Sequence, residues 1–179
     1  KKIAHALQKF DIDWSAGTES GHSTSTVSYA TNPANGQVKA GEKITLTVTV
    51  TNTGEVPLHQ LRGISASKNE HFDKLEFILG KIYKGVTESY STTVTIPKNS
   101  LDREDDVVIK FEELNHNNPK DITCNIITEA LPRPLFAYSY QILDTVKNSS
   151  KNNGDGLIQT GEDIDLLVLV KNVGDCPAE

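Results

Sequence analysis

The chain has 179 residues, with 18 Lys and Arg against 24 Asp and Glu, for a net charge of −6. The absence of a Lys/Arg block argues against a nucleic-acid-binding surface. The longest purely apolar run, Leu166–Val170, is far too short for a membrane span, and two cysteines do not make a disulfide framework. With no Met and no signal peptide ahead of Lys1, the chain reads as a piece of a longer polypeptide.

The first ten residues, KKIAHALQKF, place Ile3, Leu7 and Phe10 at helical spacing. Ten residues do not hold a helix alone in water, so residues 1–14 are expected to be the end of a helix from an upstream domain. Residues 15–25, SAGTESGHSTS, have the composition of a flexible linker. Seven short strands are then expected, at 26–31, 43–52, 62–66, 76–82, 87–96, 106–112 and 121–129. The clearest is the second: Ile44, Leu46, Val48 and Val50 alternate with Thr45, Thr47, Thr49 and Thr51, the two-residue period of a strand with one buried face. Gly, Pro, Asn or Asp bounds each run, and Pro97 and Pro119 fall at strand ends, where a missing N–H costs little. Seven strands in about 105 residues is the count of an immunoglobulin-like β-sandwich, here residues 26–130. Leu131-Pro132-Arg133-Pro134 follows as a stiff connector (131–136).

A repeat sets the rest of the organisation. Gly36–Leu58 and Gly156–Ala178 align without gaps at an offset of 120, with ten of 23 positions identical, among them Gly41, Glu42, Asn52, Gly54 and Pro57. Residues 137–179 are therefore expected to be the first part of a second sandwich. The fold class expected is all-β: tandem immunoglobulin-like β-sandwiches, the second incomplete, preceded by a short helical tail.

Several groups are candidates for chemistry. Asn153, Asp155, Gly156 and Glu162 fit most of a calcium loop, D-x-[DN]-x-[DN]-G-x5-E, although Lys151 stands where the first carboxylate belongs and Asp144 or Asn148 would have to replace it. The same residues also read as an Asn/Gly-rich turn in which Glu162 does what Glu42 does in the first copy. Asp102, Glu104, Asp105, Asp106, Glu112 and Glu113 cluster beside Arg103 and Lys110, and are expected to be a solvated charged surface. The five histidines lack metal-ligand spacing. Cys124 is in phase with Ile122 and Ile126 and is expected to pack inward, and both thiols are expected to be free. Phe136, Tyr138 and Tyr140 share one strand face and are expected in a core. Where the first copy has Thr47 and Thr49, the second has Leu167 and Leu169 on the nominally outer face, an expected interface.

Five ordered runs carry a resemblance: ALQKFDIDWS (6–15), FDKLEFILGKI (72–82), IPKNSLDREDDVVIKFEELNHNNP (96–119), LPRPLFAYSYQI (131–142) and NNGDGLIQTGEDIDLLVLVKNVGDCPAE (152–179). Together they resemble the non-catalytic region that follows the protease core in large PDZ-containing tail-specific (C-terminal processing) serine proteases of deltaproteobacterial type. The resemblance implies a periplasmic or cell-envelope parent whose Ser/Lys catalytic pair lies outside this segment, so no catalytic residue is carried over. On that basis the segment is expected to be a non-enzymatic accessory region. Its partners would be proteins, either unfolded substrate chains bound at a sheet edge or further copies of itself. The alternative is a surface adhesion or glycan-binding sandwich, since sandwiches host many functions.

Overall fold

The computed structural model describes residues 7–19, 21–144 and 153–178. The chain divides into two units, Lys1–Leu131 and Pro132–Glu179.

In the first unit eight strands form two sheets: β1 (Ser25–Asn32), β2 (Gln37–Lys39), β3 (Lys43–Asn52), β4 (Leu58–Ala66), β5 (Glu76–Ile82), β6 (Thr87–Thr95), β7 (Arg103–Glu112) and β8 (Ile122–Glu129). One sheet has the order β1-β3-β6, the other β2-β8-β7-β4-β5. All pairings are antiparallel except the short parallel pair β2–β8. All seven expected strands are present, with β2 in addition.

Alternation decides the faces. Ile44, Leu46, Val48 and Val50 of β3 are essentially inaccessible. They join Leu58, Leu61, Phe77, Ile82, Val107, Ile109, Phe111, Cys124 and Ile126 from the five-stranded sheet in one core, a two-layer all-β arrangement in which each sheet hides its apolar face against the other. Phe72, from the β4–β5 connection, is also fully buried there. On the outer face of the smaller sheet, β3 and β6 are joined by four cross-strand hydroxyl pairs. These are Thr45–Thr93, Thr47–Ser91 and Thr49–Ser89 at 2.8 Å, and Thr51–Thr87 at 2.7 Å.

The N-terminal segment belongs to this unit. Ile3 lies outside the described residues. Leu7 and Gln8 are helical, and the helix ends in a Schellman turn: Asp11 takes φ +58°, its N–H bonds Gln8 O at 3.2 Å, and Ile12 N–H bonds Leu7 O at 3.2 Å. The chain then lies along β4 and β5. Lys81 N donates to Asp13 O (2.6 Å) and Gln60 Nε2 to Trp14 O (3.1 Å). Gly80 makes this approach possible, because at its φ of +76° a Cβ would stand 2.6 Å from Asp13 O. Ser23 donates to Asn52 Oδ1 (2.8 Å) and Val56 O (3.0 Å). The end of the segment with linker composition is thus tied to the sheets by the Ser23 hydroxyl, and also by Thr24 O, which accepts from Thr53 N at 2.9 Å, and by Ser23 N, which donates to Asn117 Oδ1 at 3.1 Å.

The second unit holds β9 (Phe136–Leu143) and β10 (Asp165–Asn172), an antiparallel pair. Its register copies β1–β3. Asn172 opposes Phe136 as Asn52 opposes Ser25, and Val168 opposes Tyr140 as Val48 opposes Tyr29. The turn after the strand is copied too. Asn52 Nδ2 donates to Val56 O (2.9 Å) and Gly54 N to Asn52 Oδ1 (2.9 Å), while Asn172 Nδ2 donates to Cys176 O (2.7 Å) and Gly174 N to Asn172 Oδ1 (3.0 Å).

Candidate functional site

The structure brings Asn153, Asp155 and Glu162 together ahead of β10. Glu162 Oε2 accepts from Gln159 N (2.9 Å), as Glu42 Oε2 accepts from Lys39 N (3.2 Å), and its Oε1 accepts from Asn153 N (3.2 Å). Asp155 Oδ1 accepts from Leu157 N (2.8 Å), and its Oδ2 from Asn153 Nδ2 (3.1 Å) and Gln159 Nε2 (2.7 Å). Asp144 Oδ2 accepts from Gly156 N at 2.6 Å, while its Oδ1 is buried with no hydrogen-bond partner among the described residues. All four oxygens of Asp155 and Glu162 are therefore already aimed at N–H donors, and Glu162 performs in the second copy the turn-closing role of Glu42. Among the described residues no group of three or more His, Cys, Asp or Glu is placed to hold a metal ion. Asn148 and Lys151, which bear on the calcium pattern, lie outside the described residues.

The β9–β10 pair is apolar on one face and mixed on the other. The face equivalent to the core of the first unit carries Phe136, Tyr138, Tyr140 and Ile142 opposite Asn172, Val170, Val168 and Leu166. Tyr138 is 74% exposed and Val168 50%, where Val48 is 0% exposed. Phe136, Tyr138 and Tyr140 share the strand face equivalent to the core face of β1, and among the described residues of this unit no second sheet packs on it. On the opposite face Leu167 and Leu169 are also exposed, opposite Gln141 and Ser139.

In the first unit the acidic cluster is only partly a charged surface. Asp105 is 4% exposed and takes two charge-assisted bonds from Arg103, Nε at 2.7 Å and Nη2 at 2.6 Å, with a third from Asn69 Nδ2 at 2.8 Å. The bond to Asp105 also holds the Arg103 guanidinium pKa above its ordinary value. Glu113 is likewise buried and caps backbone N–H groups of His59, Asn115 and Asn117 (2.7, 2.7 and 3.0 Å). Both depart from the expectation of solvated carboxylates, because buried N–H donors satisfy them. Both were legible in one respect: Asp105 and Glu113 stand in phase with Val107, Ile109 and Phe111.

His59 has no exposed surface. Its Nδ1 lies 3.4 Å from Ser15 O and its Nε2 2.8 Å from Glu19 Oε2, an ion pair when the ring is protonated. Gly17 passes so close to the ring that a Cβ there would overlap it. The Glu19 carboxyl is held below its ordinary pKa, first by its backbone N–H and then by His59. Between this N-terminal segment, β5 and β6 lies a groove of about 580 Å³, lined by Leu7, Phe10, Ile12, Tyr83 and Tyr90 among others. Cys124 is fully buried and burial pushes its thiol pKa up to about 12, whereas Cys176 is half-buried, and both are free.

No family model matches the chain, and no curated protein matches it. Among solved structures it is similar to the sporulation control protein Spo0M of Bacillus subtilis, with 15% identity and a TM-score of 0.41. That match covers 62% of this chain and 51% of the other, so the chain spans about half of that protein's length.

Proposed function

We propose that the chain is a non-catalytic interaction segment, built from tandem immunoglobulin-like sandwiches, that serves as the accessory region of a cell-envelope tail-specific serine protease. The observation that carries the interaction reading is the β9–β10 pair. It repeats β1–β3 in register and turn chemistry, yet on the outer face, where the first copy has Thr47 and Thr49, it exposes Leu167 and Leu169. Leucines in place of threonines on an outer strand face favour a protein partner there. Support for the protease parent comes from the five sequence runs, whose resemblance also implies a periplasmic or envelope location and a Ser/Lys pair elsewhere.

Sedimentation velocity over a range of concentrations, with an unfolded, carboxymethylated protein as a second analyte, tests the interaction reading. The expected result is concentration-dependent association or binding of the unfolded chain, weakened by Leu167→Thr with Leu169→Thr. A strictly monomeric chain that ignores the unfolded protein overturns it. One observation favours the second reading, a glycan-binding or adhesive module: the exposed row of Phe136, Tyr138 and Tyr140. The aliphatic half of the same face, Leu166, Val168 and Val170, suits sugar less well. Binding on a glycan array would support the second reading over the first.

A further inference from the structure

In the first unit, the residues that follow the N-terminal turn close over a single side chain. His59 lies within the register break between Leu58 and Leu61, where Gln60 takes φ +49°, and its ring has no exposed surface. Residues 15–19 supply the cover. Ser15 O lies 3.4 Å from Nδ1 and the Glu19 carboxylate 2.8 Å from Nε2, and Gly17 passes over the Cε1 edge between them, where no Cβ fits. Just upstream, Trp14 O and Asp13 O accept from Gln60 Nε2 and Lys81 N. Lys81 belongs to β5, the last strand of its sheet, so the segment both caps the imidazole and covers part of a sheet edge.

Both ring nitrogens thus face oxygen acceptors that come from one stretch of chain. A neutral imidazole has one N–H and one lone pair, so in either tautomer a lone pair is set against Ser15 O or against the Glu19 carboxylate. An imidazolium has a donor for each oxygen and a positive charge for Glu19. At Nε2 the charge is the larger part, because the carboxylate lies off the N–H direction and Nε2 has no aligned partner among the described residues. Two further carboxylates bear on this region. Glu113 accepts the His59 backbone N–H at 2.7 Å. The Asp13 carboxyl is held below its ordinary pKa chiefly by the Ser15 N–H, with Lys81 and His59 adding to the effect. Lys81 is the opposing cation from β5, while Arg62, on β4 itself, is engaged by Glu112. Burial works against a charged ring, which makes the cation dependent on Glu19 staying in contact.

We propose that His59 is a proton-operated clasp for residues 15–19: the protonated ring holds the segment closed, and loss of the proton releases it together with the Asp13 contact to the β5 edge. The sign follows from linkage. A closed state that binds one more proton than the open state is favoured at lower pH and is lost as pH rises through the titration of the ring. At the acid end Asp13 and Glu19 become protonated and the same contacts fail. The segment is therefore closed within a window of pH and open on either side of it. The device lies in the first unit and does not depend on the β9–β10 pair or on any partner.

The test is an NMR titration of the whole chain between about pH 5 and 9, above the range in which Asp13 and Glu19 take up protons. The ring signals of His59 are followed together with the amides of Ala16, Gly17 and Lys81. All are expected to share one midpoint, with Ala16 and Gly17 moving toward the shifts of an unstructured segment on the alkaline side. His22, His71 and His116 serve as internal references. Glu19→Gln, at a half-exposed position, keeps the side-chain shape and removes the charge. It should lower the shared midpoint by about half a pH unit and leave the three reference histidines unmoved. Amides that stay flat while His59 titrates, a His59 ring that does not titrate in this range, or an unchanged midpoint in Glu19→Gln overturns the proposal.

Discussion

Asn52 offers the most exacting measurement. It is fully buried and uses its whole side chain: Nδ2 donates to Val56 O and Ile82 O at 2.9 Å, and Oδ1 accepts from Ser23 Oγ at 2.8 Å and Gly54 N at 2.9 Å. Asn52→Ala removes four bonds, each with a net worth of about 1 kcal/mol. Val56 O keeps its bond from Ser23 Oγ, so one loss is offset and about 3 kcal/mol remains. For a unit of this size that lowers Tm by about 10 °C. Urea unfolding followed by Trp14, whose carbonyl is held by Gln60, reports on this unit. Asn172→Ala is the matched control: the same turn sits in an exposed pair, water can replace the lost bonds, and the cost should stay below about 1 kcal/mol. A loss under about 1 kcal/mol for Asn52→Ala at unchanged m, or equal losses at the two asparagines, would refute the reasoning.

The remaining predictions concern other parts of the chain. Alkylation of the native protein, read by peptide mass, should modify Cys176 quickly and leave Cys124 intact until unfolding, since burial raises the latter's thiol pKa to about 12. Val48→Ala should cost about 2 kcal/mol, while Val168→Ala, at the equivalent but exposed position, should fall below about 0.5 kcal/mol by the same denaturation assay. The folded-state pKa of Asp13 is lowered, chiefly by the Ser15 N–H, and that of Glu19 by its own N–H and His59. Because both are depressed, the stability they lend the N-terminal segment is present at neutral pH and is lost as pH falls through their folded values, below the ordinary 3.8 and 4.5. Pepsin cleavage within residues 12–19 should therefore accelerate as pH falls through that range. Calcium titrated against the Asn153, Asp155 and Glu162 amides should bind no tighter than about millimolar, because the ion must displace N–H donors from every carboxylate oxygen of Asp155 and Glu162. A micromolar isotherm would reverse that conclusion.

Strand β3 is readable from its residues because four apolar side chains alternate with four threonines over a full strand. β2 is not, since three residues with one buried side chain, Val38, cannot display a period. The inward polar residues, Asp105, Glu113 and Thr128, follow the apolar phase of their strands, so position marks them while residue type hides them. His59 escapes even that test. It lies beside a break in register between Leu58 and Leu61, where Gln60 takes φ +49° and two consecutive residues, Leu58 and His59, are both buried. The close contact with Gly17 depends on chain segments about forty residues apart, which no local pattern encodes. In the second unit the period of β9 and β10 is read correctly, but a period says which side chains share a face and not what covers it.

The turn that both copies share makes the chain its own reference. Gly54 and Gly174 each donate to the oxygen of their own copy's asparagine, and Lys39 and Gln159 to that of its glutamate, in one molecule, one buffer and one temperature. Of the two Asn–Gly turns, one follows a strand embedded in a core and the other a strand with open faces. The ratio of amide exchange rates at each matched pair thus isolates what a packed layer adds to hydrogen bonds of identical design, free of the differences in chain length and solvent that trouble comparisons between proteins. A partner that covers β9–β10 would pull that ratio toward one, so the same two glycine signals would record docking without any label.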